Sequence, residues 1–234
     1  MITTAFITGA DKGLGFSLVR RFLRAGVRVF AGFRTPESNQ PGLAESFPET
    51  FTPIPLDVTQ MDSVIEAAAR VAELIPALDV LINNAGVMLE TRTPLSELDL
   101  TRLPLVETME VNTFGPLRMA QQFLPLLEKG DRKLIINVSS EAGSISDCWR
   151  ESEFAYSMSK AALNMQSRIL QNYLKPRGFK ILAVHPGWLQ TDMGGAGATI
   201  HPDEASKSIF NLAIKNWNAD DAIFMDYHGQ PLPW

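Results

Sequence analysis

The feature that most constrains this chain lies at its start, where a short apolar run, a glycine turn and an amphipathic helix follow one another directly. Thr3 to Thr8 is the apolar run, and it ends in Gly9-Ala10-Asp11-Lys12-Gly13-Leu14-Gly15. Beyond the turn, Leu14, Leu18, Val19, Phe22 and Leu23 recur at helical spacing. Gly26 suits the left-handed position just past a helix C-terminus, and Val27 to Phe33 reads as a second strand. A glycine turn between strand and helix points backbone N–H groups and the positive end of the helix dipole at one spot, where a pyrophosphate can sit. A nucleotide is therefore the first ligand to expect.

The same alternation continues downstream. Thr52 to Leu56 reads as a strand closed by Asp57-Val58, and Val64, Ala68, Val71 and Ile75 line one face of the helix that follows, with Thr59 and Asp62 as its capping pair. Further strands are expected at 79–83, 133–139, 180–185 and 222–225, with helices over 154–172 and 203–217. Strands and helices in alternation imply βαβ units with right-handed crossovers. The expected fold is α/β, a doubly wound parallel sheet with helices on both faces, formed by residues 1–234 as one dinucleotide-binding domain. A 45% hydrophobic content is enough to fill that core.

Charge and composition narrow the partners. A net charge of −5 gives no basic field for nucleic acid or anionic lipid. No apolar stretch approaches the roughly 18 to 20 residues that span a bilayer, and the N-terminus shows no signal-peptide pattern. Cys148 is the single cysteine, in keeping with a reducing compartment. The expectation is a cytoplasmic protein with no membrane and no nucleic-acid partner.

Two later stretches carry chemistry. Tyr156 and Lys160 are four residues apart, on one face if the segment is helical, so the ammonium is expected to favour the ionised phenol and lower a pKa ordinarily near 10. Such a tyrosine exchanges protons near neutral pH. Ser139 and Ser140 end the most apolar strand. Around Asn112 the pattern is helical but contains Pro116, so the helix either kinks there or restarts. His185 ends a strand before Pro186 and reads as a packed, hydrogen-bonded residue. Gly194-Gly195-Ala196-Gly197 reads as a mobile lid.

In order along the chain, Thr8-Gly9-x-x-x-Gly13-x-Gly15, Asn83-Asn84-Ala85-Gly86, Val111-Asn112-x-x-Gly115, Ser140-x-x-Gly143, Tyr156-x-x-x-Lys160 and Pro186-Gly187-x-x-x-Thr191 resemble the motifs of the short-chain dehydrogenase/reductase family. The final segment resembles its carbonyl-reductase and C-factor-like branch. The resemblance implies reversible hydride transfer between a nicotinamide dinucleotide and a small carbonyl or alcohol substrate. It implies a catalytic set of Asn112, Ser140, Tyr156 and Lys160. It also implies a cofactor set of Gly9, Asp11, Lys12, Gly13, Leu14, Gly15, Arg34, Asp57, Val58, Asn84, Ala85, Gly86, Tyr156, Lys160, Pro186, Gly187 and Thr191, with no metal. Sixteen positions separate Ser140 from Tyr156, about three more than the common family spacing, and the surplus falls within 146–153. Family members commonly pair through the helices carrying Asn112 and Tyr156, so a homodimer or homotetramer is expected. The branch also holds a second reading, a signalling or dinucleotide-sensing protein on the same scaffold.

Cofactor preference is read from the residues. NAD sites usually place an acid about 20 residues beyond the glycine turn, and here Arg34 follows the second strand, with no acid before Glu37. Arg34, seconded by Lys12, suits a ribose 2′-phosphate, so NADP(H) is expected over NAD(H). Trp149, Phe154, Trp188 and Met193 say of the substrate pocket only that it is apolar.

Overall fold

The computed structural model describes residues 2–35, 41–90, 92–218 and 220–234, with the side chain of residue 41 outside that set. Among them, seven strands form one parallel sheet: β1 (Thr4–Thr8), β2 (Arg28–Phe33), β3 (Phe51–Pro55), β4 (Val80–Asn83), β5 (Leu134–Val138), β6 (Lys180–His185) and β7 (Phe224–Asp226). Their spatial order is β3-β2-β1-β4-β5-β6-β7. The order reverses between β1 and β4, which pair Ala5 with Val80 and Ile7 with Ile82. At such a switch point the connections leave in opposite directions and open a crevice at the carboxyl ends of the strands.

Seven helices are described: α1 (Gly13–Arg24), α2 (Pro41–Ser46), α3 (Met61–Leu74), α4 (Leu105–Met109), α5 (Gly115–Leu127), α6 (Phe154–Leu174) and α7 (Pro202–Ile214). They cover both sheet faces, which is why β1, β4 and β5 are apolar on both sides. On one face α1 and α7 pack over Ile7, Val29, Ile82 and Ile136, with Phe22 meeting Phe210 edge-on at 4.9 Å. On the other, α3 and α5 pack over Phe6, Phe30, Leu81 and Ile135, with Phe123 set 4.6 Å from Phe6. Away from the crevice, buried Asp79 accepts from the Thr3 N–H (2.7 Å), the Thr3 hydroxyl (2.8 Å), the Thr4 N–H (3.2 Å) and the Asp131 N–H (3.1 Å). Burial would raise its pKa, but these donors outweigh it and hold the carboxyl below the usual range.

One local reading changes and another is settled. Thr59 and Asp62 form no capping pair: the Thr59 N–H and hydroxyl both donate to Asp57 Oδ1, and Gln60 precedes α3 without a side-chain cap. Of the two alternatives at Pro116, the structure takes the restart: a new α-helix begins at Gly115. α4 runs through a π-helical turn at Glu110–Phe114 into α5, and Pro116 sits in the first turn of α5. A π turn breaks the i→i−4 ladder, so the missing proline N–H falls where the ladder is already shifted.

Candidate active site

The crevice begins at the glycine turn. Gly9 and Gly13 have φ of +61° and +54°, which side-chain-bearing residues rarely adopt. A Cβ at Gly15 would collide with the Gly9 carbonyl and meet Asn84 Nδ2 at 2.5 Å. The turn is clasped by β4: Asn84 Nδ2 donates to the carbonyls of Thr8 (2.9 Å) and Gly9 (3.0 Å), and Thr8 Oγ1 accepts from the N–H groups of Asn84 and Ala85. α1 then starts at Gly13 with no side-chain cap and no acid in its first turn. Its free N–H groups and dipole favour an anion there.

The other predicted cofactor residues gather around this turn. Thr191 lies against Gly13, and Gly187, at φ +84°, follows buried Pro186 at the end of β6. Asp57 folds back on Thr59, with Val58 buried beside it. Arg34 is exposed at the end of β2, and Glu37 lies outside the described residues. Lys12 is close enough to feel the Arg34 charge, but its Nζ is paired with Asp192 at 2.6 Å, which raises the Lys12 pKa. Lys12 and Asp192 are both largely exposed, so the pair is a surface one. A Cβ at Gly86 would lie 3.3 Å from Asn112 Oδ1 and 3.7 Å from Lys160 Nζ, so the missing side chain keeps a gap open beside both. A flexible cofactor with a pyrophosphate fits these surroundings: an uncapped helix start, a clasped glycine turn and a gap at Gly86.

The chemical groups meet at the end of β5. Ser139 turns away and donates to Asn164 at 2.6 Å, whereas the Ser140 hydroxyl lies close enough to Tyr156 to pull the phenol pKa down. Lys160 is 4% exposed, donates to the Val138 carbonyl at 2.9 Å, and stands 5.7 Å from the Tyr156 ring centre. Burial lowers its pKa to about 8. Tyr156 departs from expectation: burial raises its pKa, the Glu141 charge adds to the rise, and Ser140 and Arg150 offset only part of it. Lys160 does not lower the phenol here because, with its own pKa brought down to about 8, it is already neutral where the raised phenol titrates. Asn112 Oδ1 accepts from the Val87 N–H (2.8 Å), and Nδ2 donates to the Val87 carbonyl (2.8 Å) and to Ser159 Oγ (3.0 Å). Its amide thus locks the π turn to the segment after β4 and to α6.

Four acting residues escaped the sequence reading. Glu90 accepts from the N–H groups of Ala155 (3.1 Å) and Tyr156 (2.6 Å), capping α6 from 66 positions upstream of Tyr156. Glu141, Arg150 and Glu153 form an ionic chain, with Arg150 Nη2 2.6 Å from Glu141 and Nη1 on Glu153, which Arg92 also pairs at 2.9 Å. The one available signal was the start of α6, where Glu153 has left-handed backbone (φ +64°) and offers no cap of its own. In the glycine segment 194–197, Trp188 Nε1 donates to the Gly194 carbonyl at 2.8 Å and the indole lies where a Gly197 side chain would be, while Gly195, Ala196 and Gly197 are exposed. Trp149, Trp188 and Met193 are exposed.

A parallel sheet with a glycine-turn crevice and a Ser/Tyr/Lys cluster beside it defines a dinucleotide-type oxidoreductase architecture. The family described as short chain dehydrogenase matches residues 3–199. The chain belongs to the short-chain dehydrogenase family of oxidoreductases. It is 38% identical to the C-signal protein of Myxococcus xanthus over 158 residues, 67% of this chain and 93% of that one. It is 35% identical to an uncharacterized oxidoreductase of Schizosaccharomyces pombe over 98% of this chain and 97% of that one. Among solved structures, NADPH-bound carbonyl reductase from chicken fatty liver superposes with a TM-score of 0.90 at 32% identity, covering 100% of this chain and 99% of that one. Carbonyl reductase Sniffer of D. melanogaster gives 0.92 at 29% identity, with both chains fully covered. Among the described residues no helix is long and apolar enough to cross a membrane.

Proposed function

We propose that residues 1–234 act as one NADP(H)-dependent reductase unit that reduces a small carbonyl compound, or oxidises the matching alcohol, in the cytoplasm. The observation that carries this reading is the placement of buried Lys160 5.7 Å from the Tyr156 ring centre, with the Ser140 hydroxyl near the phenol at the end of β5 and a gap left at Gly86. When bound, the nicotinamide supplies or takes the hydride. The chain's own residues do the rest. The uncapped start of α1 and the turn from Gly9 to Gly15 would hold the pyrophosphate, and Arg34 would pair with the 2′-phosphate. Tyr156 Oη donates a proton to the oxygen as negative charge develops on it. A raised phenol pKa suits that donor role, because it keeps the proton on Tyr156 until the substrate oxygen needs it. Lys160, with a pKa near 8, still carries its proton at neutral pH and would favour an anionic cofactor beside it. Asn112 fixes the geometry of Gly86 to Val87 through both amide atoms.

Exposed Phe114, Leu117, Met158, Met165, Ile169 and Tyr173 support a homodimer or homotetramer through the helices carrying Asn112 and Tyr156. Similarity to C-signal keeps a second reading, a signalling or dinucleotide-sensing protein on the same scaffold, but a sensor needs no positioned proton donor. The deciding experiment follows NADPH oxidation with aldehydes, ketones and quinones. Wild type turns over, and Tyr156→Phe keeps its fold and NADPH affinity but loses about 10²-fold or more in kcat. NADPH binding without turnover of any carbonyl would favour the sensor.

A further inference from the structure

Ser140 has one proton to give, and it does not point at the crevice. Its Oγ accepts from the Ala142 N–H at 3.1 Å and donates to Glu141 Oε2 at 2.7 Å. The Glu141 carboxylate therefore stands directly behind the hydroxyl that lies near Tyr156. The same Oε2 lies 3.3 Å from His185 Nδ1. That nitrogen is buried and has no well-aligned hydrogen bond, while the imidazole side chain as a whole keeps 20% of its surface exposed. His185 is thus not the satisfied packed residue expected from its place at the end of β6. It is an imidazole with one nitrogen on a carboxylate and an edge that reaches solvent.

We propose that Glu141 and His185 form a proton path from solvent through Ser140 to Tyr156, distinct from any path through Lys160. The proposal rests on the reductase reading above. In the reducing direction Tyr156 gives its O–H proton to the substrate oxygen. The phenolate takes the Ser140 proton, Ser140 takes one through Glu141 from His185 Nδ1, and His185 Nε2 takes one from water. Each O–H or N–H bond broken is matched by one formed, no electrons move, and one proton enters from solvent.

The charged groups around this path come from every neighbouring element. Arg150, on the loop before α6, holds Glu141 Oε1 and bonds Glu153, itself paired with Arg92; Asp226 lies at the end of β7; Tyr156 comes from α6. Burial would raise the Glu141 pKa, yet Ser140, His185 and Arg150 bring it below the usual carboxylate range. Burial lowers His185 below its usual value, with Arg150 acting the same way and Glu141 and Asp226 opposing. At neutral pH the resting path therefore holds a carboxylate and a neutral imidazole, the pair that can relay a proton without trapping it. Neither residue touches the substrate; both are positioning residues that act through Ser140.

The test uses the full chain with NADPH and the best carbonyl of an aldehyde, ketone and quinone panel. His185→Ala is expected to lower kcat about tenfold at pH 7 to 8, less than the loss of a general acid because the Lys160 side remains. It is expected to enlarge the solvent deuterium isotope effect, leave KM for NADPH unchanged, and recover kcat when imidazole is added. Glu141→Gln keeps the shape but cannot carry the proton, so it shows the same loss without rescue by imidazole. The proposal is overturned if both variants keep the wild-type kcat–pH profile and isotope effect. It is equally overturned if imidazole fails to rescue a folded His185→Ala protein, or if His185→Gln restores full kcat. Tyr156→Phe measured alongside separates the two readings. Active wild type and inactive Tyr156→Phe with unaffected His185 variants overturn the path alone, whereas inactive wild type overturns the reductase reading and the path with it.

Discussion

The glycine turn after β1 and the Tyr156 end of the crevice answer the same need, a fixed environment for a polar ligand, with different materials. At the turn the working groups are mainly backbone atoms and neutral side chains: Thr8 and Asn84 clasp the loop, the start of α1 has no side-chain cap, and the Lys12–Asp192 pair beside it is exposed to solvent. At the Tyr156 end they are ionisable side chains, with Glu141, Arg150, Glu153 and His185 around Ser140 and a buried Lys160. Backbone dipoles keep their sign at every pH but leave no room for a side chain. Ionisable groups tolerate changes of shape but answer to pH. The turn should therefore fail by steric insult, and the catalytic end by titration.

The largest expected effect breaks the turn. Gly15→Ala forces the clasp apart, and NADPH affinity by fluorescence titration is expected to fall at least about 100-fold, near 2.7 kcal/mol, while Tyr156→Phe stays close to wild type. Wild-type affinity in Gly15→Ala would remove the steric half of the contrast.

The next prediction concerns titration. Lys160 has a folded pKa near 8 against its ordinary 10.5. Below pH 8 folded and unfolded chains both carry the proton, so the burial penalty stands in full. Between 8 and 10.5 only the unfolded chain keeps it, so this contribution to folded-state stability rises with pH, by roughly 3 kcal/mol over the window. Urea midpoints at pH 7.5 and 10 should diverge between the cofactor-free wild type and Lys160→Met, the wild type gaining relative to the mutant; parallel responses would show that Lys160 is not penalised by burial.

Arg34→Asp sits between the two regions, as a charge at the turn end of the crevice. The ratio of kcat/KM for NADPH over NADH is expected to drop about tenfold, the equivalent of one charge-assisted hydrogen bond. An unchanged ratio would leave the 2′-phosphate to other groups.

The smallest effect tests the cap of α6. Glu90→Ala removes the acceptor of the Ala155 and Tyr156 N–H groups and is expected to cost about 1 kcal/mol. It would appear as a lower urea midpoint at constant slope. No shift would mean that water replaces the carboxylate without loss.

This contrast also explains what could be read in the sequence. The turn is local: its glycines, its strand and its helix are contiguous, so Thr3 to Phe33 shows the strand–turn–helix pattern directly. The β strands were legible because burial on both faces demands unbroken apolar runs, as at Leu134–Val138. Tyr156 and Lys160 were legible as a spacing, and family resemblance supplied their company. The ionic chain was not legible, since Glu90, Glu141, Glu153 and His185 are ordinary surface-type residues until β5, β6 and the start of α6 are set side by side. The Tyr156 shift was misread for a related reason. Spacing put Lys160 nearby, but spacing does not show that burial brings its own pKa down to about 8.

The π-helical turn at Glu110–Phe114 has a consequence for how this segment tolerates change. Each residue in an α-helix advances about 100° around the axis, so one surplus residue in a turn offsets everything before it relative to everything after it. α4 and α5 thus keep separate phases, and Asn112 sits at the joint, facing Val87 and Ser159. Deleting Thr113 would restore a regular helix and carry the Asn112 amide around the axis, although no apolar core residue of α5 would be altered. Insertion and deletion scanning should therefore find a narrow zone, 110–114, where one residue more or less silences the protein.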